Sequence, residues 1–145
     1  MKKCLFSMLL LCCAHIFCVR AQHVITFDTL FQRAMNQIHA YPQEKIHLHI
    51  DRGVFVPGDT VWVKAYLVHA TFHTRMEISR YVLVELINPL DSLISRVKLR
   101  VNGEHSFNGY IPLPLQLPDG RYTLRAYTSY MMEEGEEFFF NAKFQ

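Results

Sequence analysis

The stretch Glu44–Leu67, EKIHLHIDRGVFVPGDTVWVKAYL, constrains the fold more than any other part of the chain. Ile46, Leu48 and Ile50 alternate with Lys45, His47, His49 and Asp51. That period of two belongs to a strand with one apolar face and one wet face. Pro57-Gly58-Asp59 then forms a corner, the proline fixing φ and the glycine admitting a positive φ. From Thr60 to His69 the side chains are apolar on both faces apart from Lys64, which predicts a central strand. The stretch therefore reads as a hairpin-like unit of two strands.

The chain continues in the same style. Arg80–Asn88 predicts a third strand, closed by the turn Asn88-Pro89-Leu90-Asp91. Ser92–Val101 alternates, with Leu93, Val97, Leu99 and Val101 on one face and Arg96, Lys98 and Arg100 on the other. Asn102-Gly103 is a hairpin-turn dipeptide. Phe107, Gly109, Ile111, Leu113 and Leu115 line one side of the next strand. Its Pro112 and Pro114 cannot donate ladder hydrogen bonds, which makes it an edge strand or an irregular one. A turn through Leu117-Pro118-Asp119-Gly120-Arg121 leads into a strand from Tyr122 to Met131. Tyr122 stands where a tyrosine corner would, its hydroxyl bonding back to nearby backbone. An acidic loop, Glu133–Glu137 with Gly135 at its tip, precedes a last strand from Phe138 to Phe144. Closely spaced turn signals with no helix between the strands predict an all-β fold. It is expected to be a seven-stranded antiparallel β-sandwich.

Ahead of the sandwich, Leu30, Phe31, Ala34 and Ile38 fall on one stripe of a short amphipathic helix within residues 24–41. Asp28 stands at its N-cap position and Pro42 stops it. The helix reads as a lid on the sandwich in preference to a partner-docking helix. Residues 1–21 read as a cleaved secretory signal. Lys2 and Lys3 form its basic start, Leu5–Val19 its apolar run, and Val19 and Ala21 its small-residue cleavage site, with cleavage between Ala21 and Gln22. The apolar run falls short of the roughly 20 residues that span a bilayer, so an uncleaved anchor is the lesser reading. Leu11 and Phe17 before Cys12 and Cys18 disfavour lipidation.

All four cysteines, Cys4, Cys12, Cys13 and Cys18, lie in that leader. The processed chain would carry no disulfide, no thiolate nucleophile and no zinc-cysteine site, and no transmembrane span. Processing removes Lys2, Lys3 and Arg20, leaving 12 of the 15 Lys and Arg against 13 Asp and Glu. That near-neutral balance argues against a nucleic-acid partner. The expected organisation is a signal peptide over 1–21, helix and linker over 22–42, and a sandwich over 43–145.

Candidate chemistry is sparse. His47, His49 and Asp51 project from one strand face at about 6–7 Å intervals and could offer three ligands to Zn²⁺ or Cu²⁺. The plainer reading is the wet face of an outer strand. Glu133, Glu134, Glu136 and Glu137 could bind Ca²⁺, but they lack the spaced Asp/Asn pattern of a calcium loop, and a solvated loop is preferred. Arg96, Lys98 and Arg100 form a basic stripe that could meet anionic lipid or polysaccharide; on an edge strand such charges also discourage aggregation. Trp62 and Tyr66 share a face with Lys64 and could stack on a sugar, although packing against a neighbouring strand beneath the Lys stem is preferred. Ser79, Ser92, Ser95, Ser106 and Ser129 lack any nucleophile-elbow context, and neither a phosphate loop nor a supported acid pair is present. Catalysis and a cofactor are not expected.

EKIHLHIDRGVFVPGDTVWVKAYLV, YVLVELINP and LPDGRYTLRAYTSYM together resemble the second macroglobulin-type domain, MG2, in the form found near the N-terminus of Bacteroidetes cell-envelope proteins. The resemblance rests on Pro42–Lys45, Asp51-Arg52, Pro57-Gly58-Asp59, Trp62 with Lys64-Ala65, and Gly120 with Tyr122, and it covers roughly Tyr41 to Phe144. It implies a fibronectin-III/immunoglobulin-like sandwich, an exported, non-catalytic module of the periplasm, outer membrane or cell surface, with protein partners or downstream domains. Such modules often precede carboxypeptidase-regulatory-like and TonB-receptor-plug segments. Peptidase inhibition, associated with macroglobulins at large, implies a bait region and usually a cysteine-built thioester, which the processed chain lacks. A carbohydrate-binding or adhesive sandwich is a further alternative. The chain departs from its relatives at Met131-Met132-Glu133-Glu134, where they tend to be basic or Asn-bearing, and at Gln145, beyond which they continue.

Overall fold

The alternating segments form the expected strands. In the computed structural model, residues 25–76, 78–103 and 106–145 are described; the expected leader and its Ala21/Gln22 cleavage point lie outside them. Helix α1, Phe27–Ala40, belongs to one compact unit and Tyr41–Gln145 forms another. Thr26, not Asp28, caps α1. The Thr29 N–H donates to Thr26 Oγ1 at 3.3 Å, and Asp28 sits in the first turn, where a negative charge favours the helix dipole.

The second unit contains β1 (Glu44–Ile50), β2 (Thr60–His69), β3 (Tyr81–Ile87), β4 (Leu93–Arg100), β5 (Phe107–Pro112), β6 (Tyr122–Tyr127), a short helix α2 (Ser129–Glu134) and β7 (Phe140–Phe144). All pairings are antiparallel, in a three-stranded sheet β1-β2-β5 and a four-stranded sheet β4-β3-β6-β7. This is the seven-stranded sandwich expected. β2 is central and the proline-bearing β5 lies at an edge, as its missing N–H donors require. Ile46, Leu48, Val61, Val63 and Leu67 from one sheet meet Val82, Val84, Leu86 and Leu124 from the other in a single buried core.

Three local expectations are corrected. First, β6 ends at Tyr127. Thr128 caps α2, its Oγ1 accepting the Met131 N–H at 3.1 Å, and a 3₁₀ turn over Glu136–Phe138 follows. The acidic stretch is thus helix and turn, not a hairpin loop, and a helix does lie between two strands. A threonine at the strand's end supplies the cap that lets the chain change period. Second, Leu93 faces outward. The ladder shifts so that Leu86 pairs with Ser95 and Ile87 with Leu93, a bulge that leaves Ile94 as the extra residue. Ser95 takes the inward place, and its hydroxyl is buried without a partner. Third, β5 ends at Pro112; Leu113 remains in the core, but Leu115 is exposed.

Candidate functional site

The signature residues of the first hairpin build a corner. Asp59 closes it twice, its N–H donating to the Val56 carbonyl at 3.0 Å and its Oδ2 accepting the Val56 N–H at 3.1 Å. Between them Gly58 takes φ 88°, a conformation that a side chain resists. Arg52 bridges Asp59 at 3.3 Å and Asp51 at 3.5 Å, and its guanidinium lies 4.8 Å from the centre of the Phe55 ring. Asp51 Oδ1 accepts the Trp62 N–H at 3.0 Å, tying the end of β1 to β2. Asp51, Arg52, Pro57, Gly58 and Asp59 therefore hold a loop. At the second corner, Gly120 lies where any Cβ would meet Pro89, and the Tyr122 hydroxyl donates to the Pro118 carbonyl at 2.6 Å. The tyrosine corner is present; burial, then the Asp119 charge, pushes the phenol pKa up.

His47, His49 and Asp51 do not converge. The His47 ring meets Phe140 edge-on at 5.4 Å, His49 pairs across the ladder with Lys64, and the Asp51 carboxylate is engaged as above. Among the described residues, no group of three or more His, Cys, Asp or Glu is placed to hold a metal ion. On the same outer face, Trp62 tilts against Tyr110 with ring centres 5.4 Å apart, and the Lys64 ammonium lies 5.4 Å from the Tyr66 ring centre. These rings pack against neighbours and still stand in solvent.

The outer face of the four-stranded sheet is different. Glu85 sits there in mid-strand with its side chain only 1% exposed. It accepts from Arg96 Nε at 2.7 Å, Arg125 Nε at 2.9 Å and the Tyr127 hydroxyl at 2.7 Å. Burial raises the Glu85 pKa, but the bonds from Tyr127, Arg125 and Arg96 outweigh it, and the net shift is downward. Phe139 stacks on Tyr127 at 4.4 Å and Glu136 pairs with Arg125 at 3.4 Å, so the chain covers the cluster with its own return into β7. Of the stripe Arg96, Lys98, Arg100, Arg96 is thus committed to Glu85, and the Lys98 ammonium lies 3.6 Å from the Tyr81 ring centre.

A second buried carboxylate, Glu44, joins the sheets at one end. It accepts from the Ser79 N–H at 3.1 Å, the Ser79 hydroxyl at 2.8 Å and the Thr128 hydroxyl. Nearby Glu134 has a raised pKa, from burial first and then from the Glu44 charge, partly offset by a hydrogen bond from Gln43. Sequence reading missed both carboxylates. The available signal was a lone glutamate inside the apolar run YVLVELI, opposite Arg125 in YTLRAY.

At the sandwich end built by both corners, a cleft of about 530 Å³ opens between Val54–Pro57, Leu113, Leu117–Gly120 and Phe144. Val54 and Val56 on its rim are exposed, and backbone bonds from Phe55 to Gln145 (2.7 Å) and from Gln145 to Gly53 (3.1 Å) fix its wall.

A three-on-four antiparallel sandwich with a tyrosine corner, and with Glu85 and Glu44 engaged in contacts that tie its strands together, defines a β-sandwich module. The MG2 domain profile matches residues 45–141, and the chain belongs to that family. Solved structures with the same fold include Salmonella alpha-2-macroglobulin reacted with methylamine (18% identity, TM-score 0.57, covering 70% of this chain and 6% of that one). Trypsin-activated alpha-2-macroglobulin from Escherichia coli gives 17% identity and a TM-score of 0.57, covering 72% of this chain and 7% of that one. Escherichia coli alpha-2-macroglobulin activated by porcine elastase gives 16% and 0.58, covering 71% and 8%. This chain thus spans under a tenth of those proteins' length. A comparison with curated proteins returned no match.

Proposed function

We propose that this chain is an exported MG2 module of the cell envelope that docks on a neighbouring domain or protein partner. In this reading, residues 1–21 are its signal peptide, 22–42 its helix and linker, and 43–145 the docking sandwich. The module belongs to the N-terminal part of a larger, outer-membrane-associated and TonB-linked protein. The observation that carries the reading is the apolar cleft with exposed Val54 and Val56 at one pole. Exposed aliphatic surface beside a concavity is what a docking partner covers. The much greater length of the solved macroglobulins supports placing the module beside other domains. Among the described residues, no helix is long and apolar enough to cross a membrane.

The test joins the chain to the coding sequence downstream of Gln145 and compares thermal unfolding with the chain alone. Docking predicts a gain of several degrees in the sandwich Tm, abolished by Val56→Asp in the joined protein but leaving the isolated chain's Tm in place. An unchanged Tm on joining would count against the reading.

A further inference from the structure

The outer face of β1-β2-β5 is where the sandwich leaves aromatic surface open, and it lies apart from the cleft. Register places His47 beside Tyr66, His49 and Asn108 on either side of Lys64, and Trp62 beside Tyr110. Trp62 is 57% exposed, Tyr110 56% and Tyr66 43%. Trp62 and Tyr66 stand four residues apart on one strand, roughly 13 Å, with Lys64 between them. Ladder hydrogen bonding holds their backbone, so the rings lose little freedom on meeting a ligand. Each also offers a flat apolar plane and a polar edge.

Two features say what would cover this face. The first is composition. Its outward positions hold aromatic, imidazole, amide and ammonium groups, and the aliphatic side chains there are confined to the half-buried Val68 and to Pro112. The cleft, by contrast, opens between valines, leucines and prolines, and its rings, Phe55, Tyr122 and Phe144, are packed on one another in its wall. The second is charge. Lys45 and Lys64 project from the face, and none of its outward strand positions carries a carboxylate. Asp51, past the end of β1, is spent on Arg52 and the Trp62 N–H. A ligand suited to this surface has repeated ring faces to stack, hydroxyls to hydrogen-bond, and negative charge. Acidic peptides supply charge, but a ring only where an aromatic residue falls and few hydroxyls. Single-stranded nucleic acid supplies both, but it takes a groove lined with cations along its backbone, which two lysines do not make.

We propose that this face binds an acidic polysaccharide. Sugar rings stack on Trp62 with Tyr110 and on Tyr66, uronate carboxylates pair with Lys64 and Lys45, and Asn108 and His49 meet hydroxyls. The proposal does not depend on docking at the cleft.

Affinity electrophoresis and calorimetry of the full chain with polygalacturonate test it. The expected result is retardation by polygalacturonate and not by a neutral β-glucan. Binding should weaken at least tenfold in Trp62→Ala and in Tyr110→Ala and several-fold in Lys64→Gln, with circular dichroism and Tm preserved. Tyr110 lies on the edge strand, so its variant stands as the check if Trp62→Ala disturbs the fold. Absence of binding to polygalacturonate would overturn the proposal, as would unchanged affinity in both aromatic variants. Binding of equal strength to polyglutamate, to an oligodeoxynucleotide or to the neutral glucan would overturn it too.

Discussion

The two outer faces of this sandwich are built on the same pleat and treated in opposite ways. On the four-stranded sheet, a buried glutamate is surrounded by two arginines and a tyrosine, and Phe139 and Glu136 close over them. On the three-stranded sheet, Trp62, Tyr66 and Tyr110 stand in solvent with Lys64 among them. Charges on the first face are consumed internally, because a desolvated carboxylate must be paired and hydrogen-bonded to remain ionised. Charges on the second are left for an outside partner. An aromatic, basic surface that the strands themselves leave open is a better place to look for binding than Arg96 and Arg125, which Glu85 already pairs.

Substitutions should separate the faces by size of effect. Glu85→Ala strands Arg96, Arg125 and Tyr127 and is expected to cost about 3 kcal/mol in urea unfolding, at the low end for a broken buried pair because the arginines can swing into water. A loss under about 1 kcal/mol would mean that the cluster is ornamental. Gly109→Val attacks the core beneath both faces. Any Cβ there meets the Leu99 side chain, and overpacking should cost about 2 kcal/mol. Thr128→Ala removes both the α2 cap and a donor to Glu44, for about 1–2 kcal/mol.

Acid should discriminate between Glu85 and Glu134, whose pKa values shift in opposite directions. Glu85 is held below the usual 4.5, so its contribution is complete above that value and is lost as pH falls through its folded pKa. The stability gap between wild type and Glu85→Gln should therefore close in acid. Glu134 is shifted upward, so its ionised form is the unfavourable one, and stability is regained as pH falls through its folded pKa. Glu134→Gln should be slightly more stable than wild type at neutral pH and equal to it in acid. The smallest effect belongs to the open face, where Trp62→Ala should change stability by less than about 1 kcal/mol. A larger loss would mean that the aromatic surface is part of the fold's support and not free for a ligand.

Much of the architecture was legible in the chain. Period-two alternation in Glu44–Ile50 marks a strand because successive side chains on a pleat point to opposite faces, and the run Thr60–His69, apolar on both faces apart from Lys64, marks a central one. Pro112 and Pro114 mark an edge because proline lacks the donor a central strand needs. Tyr122 after Pro118-Asp119-Gly120 announced a corner whose hydroxyl bond is present. Less legible was anything set by one residue's partner far along the chain. The bulge at Ile94 turns Leu93 outward although its spacing matches the core residues. The run Thr128–Glu134 becomes a helix because Thr128 caps it and Glu44, from the first strand, receives the same hydroxyl.

The candidate sites divide along the same line. The His47, His49, Asp51 alternation was visible, but side chains on one strand face stay several ångströms apart unless another element brings a ligand between them. Asp51 instead turned to the Trp62 backbone. Local pattern alone determined the strands, their corners, the edge proline strand and the MG2 signature, because each follows from the covalent geometry and neighbours of a few residues. Tertiary structure alone decided which charges were consumed, which aromatics stayed open and where the cleft lies. Those outcomes depend on residues such as Glu85 and Arg125, or Phe55 and Gln145, that only the folded sheets bring within reach of one another.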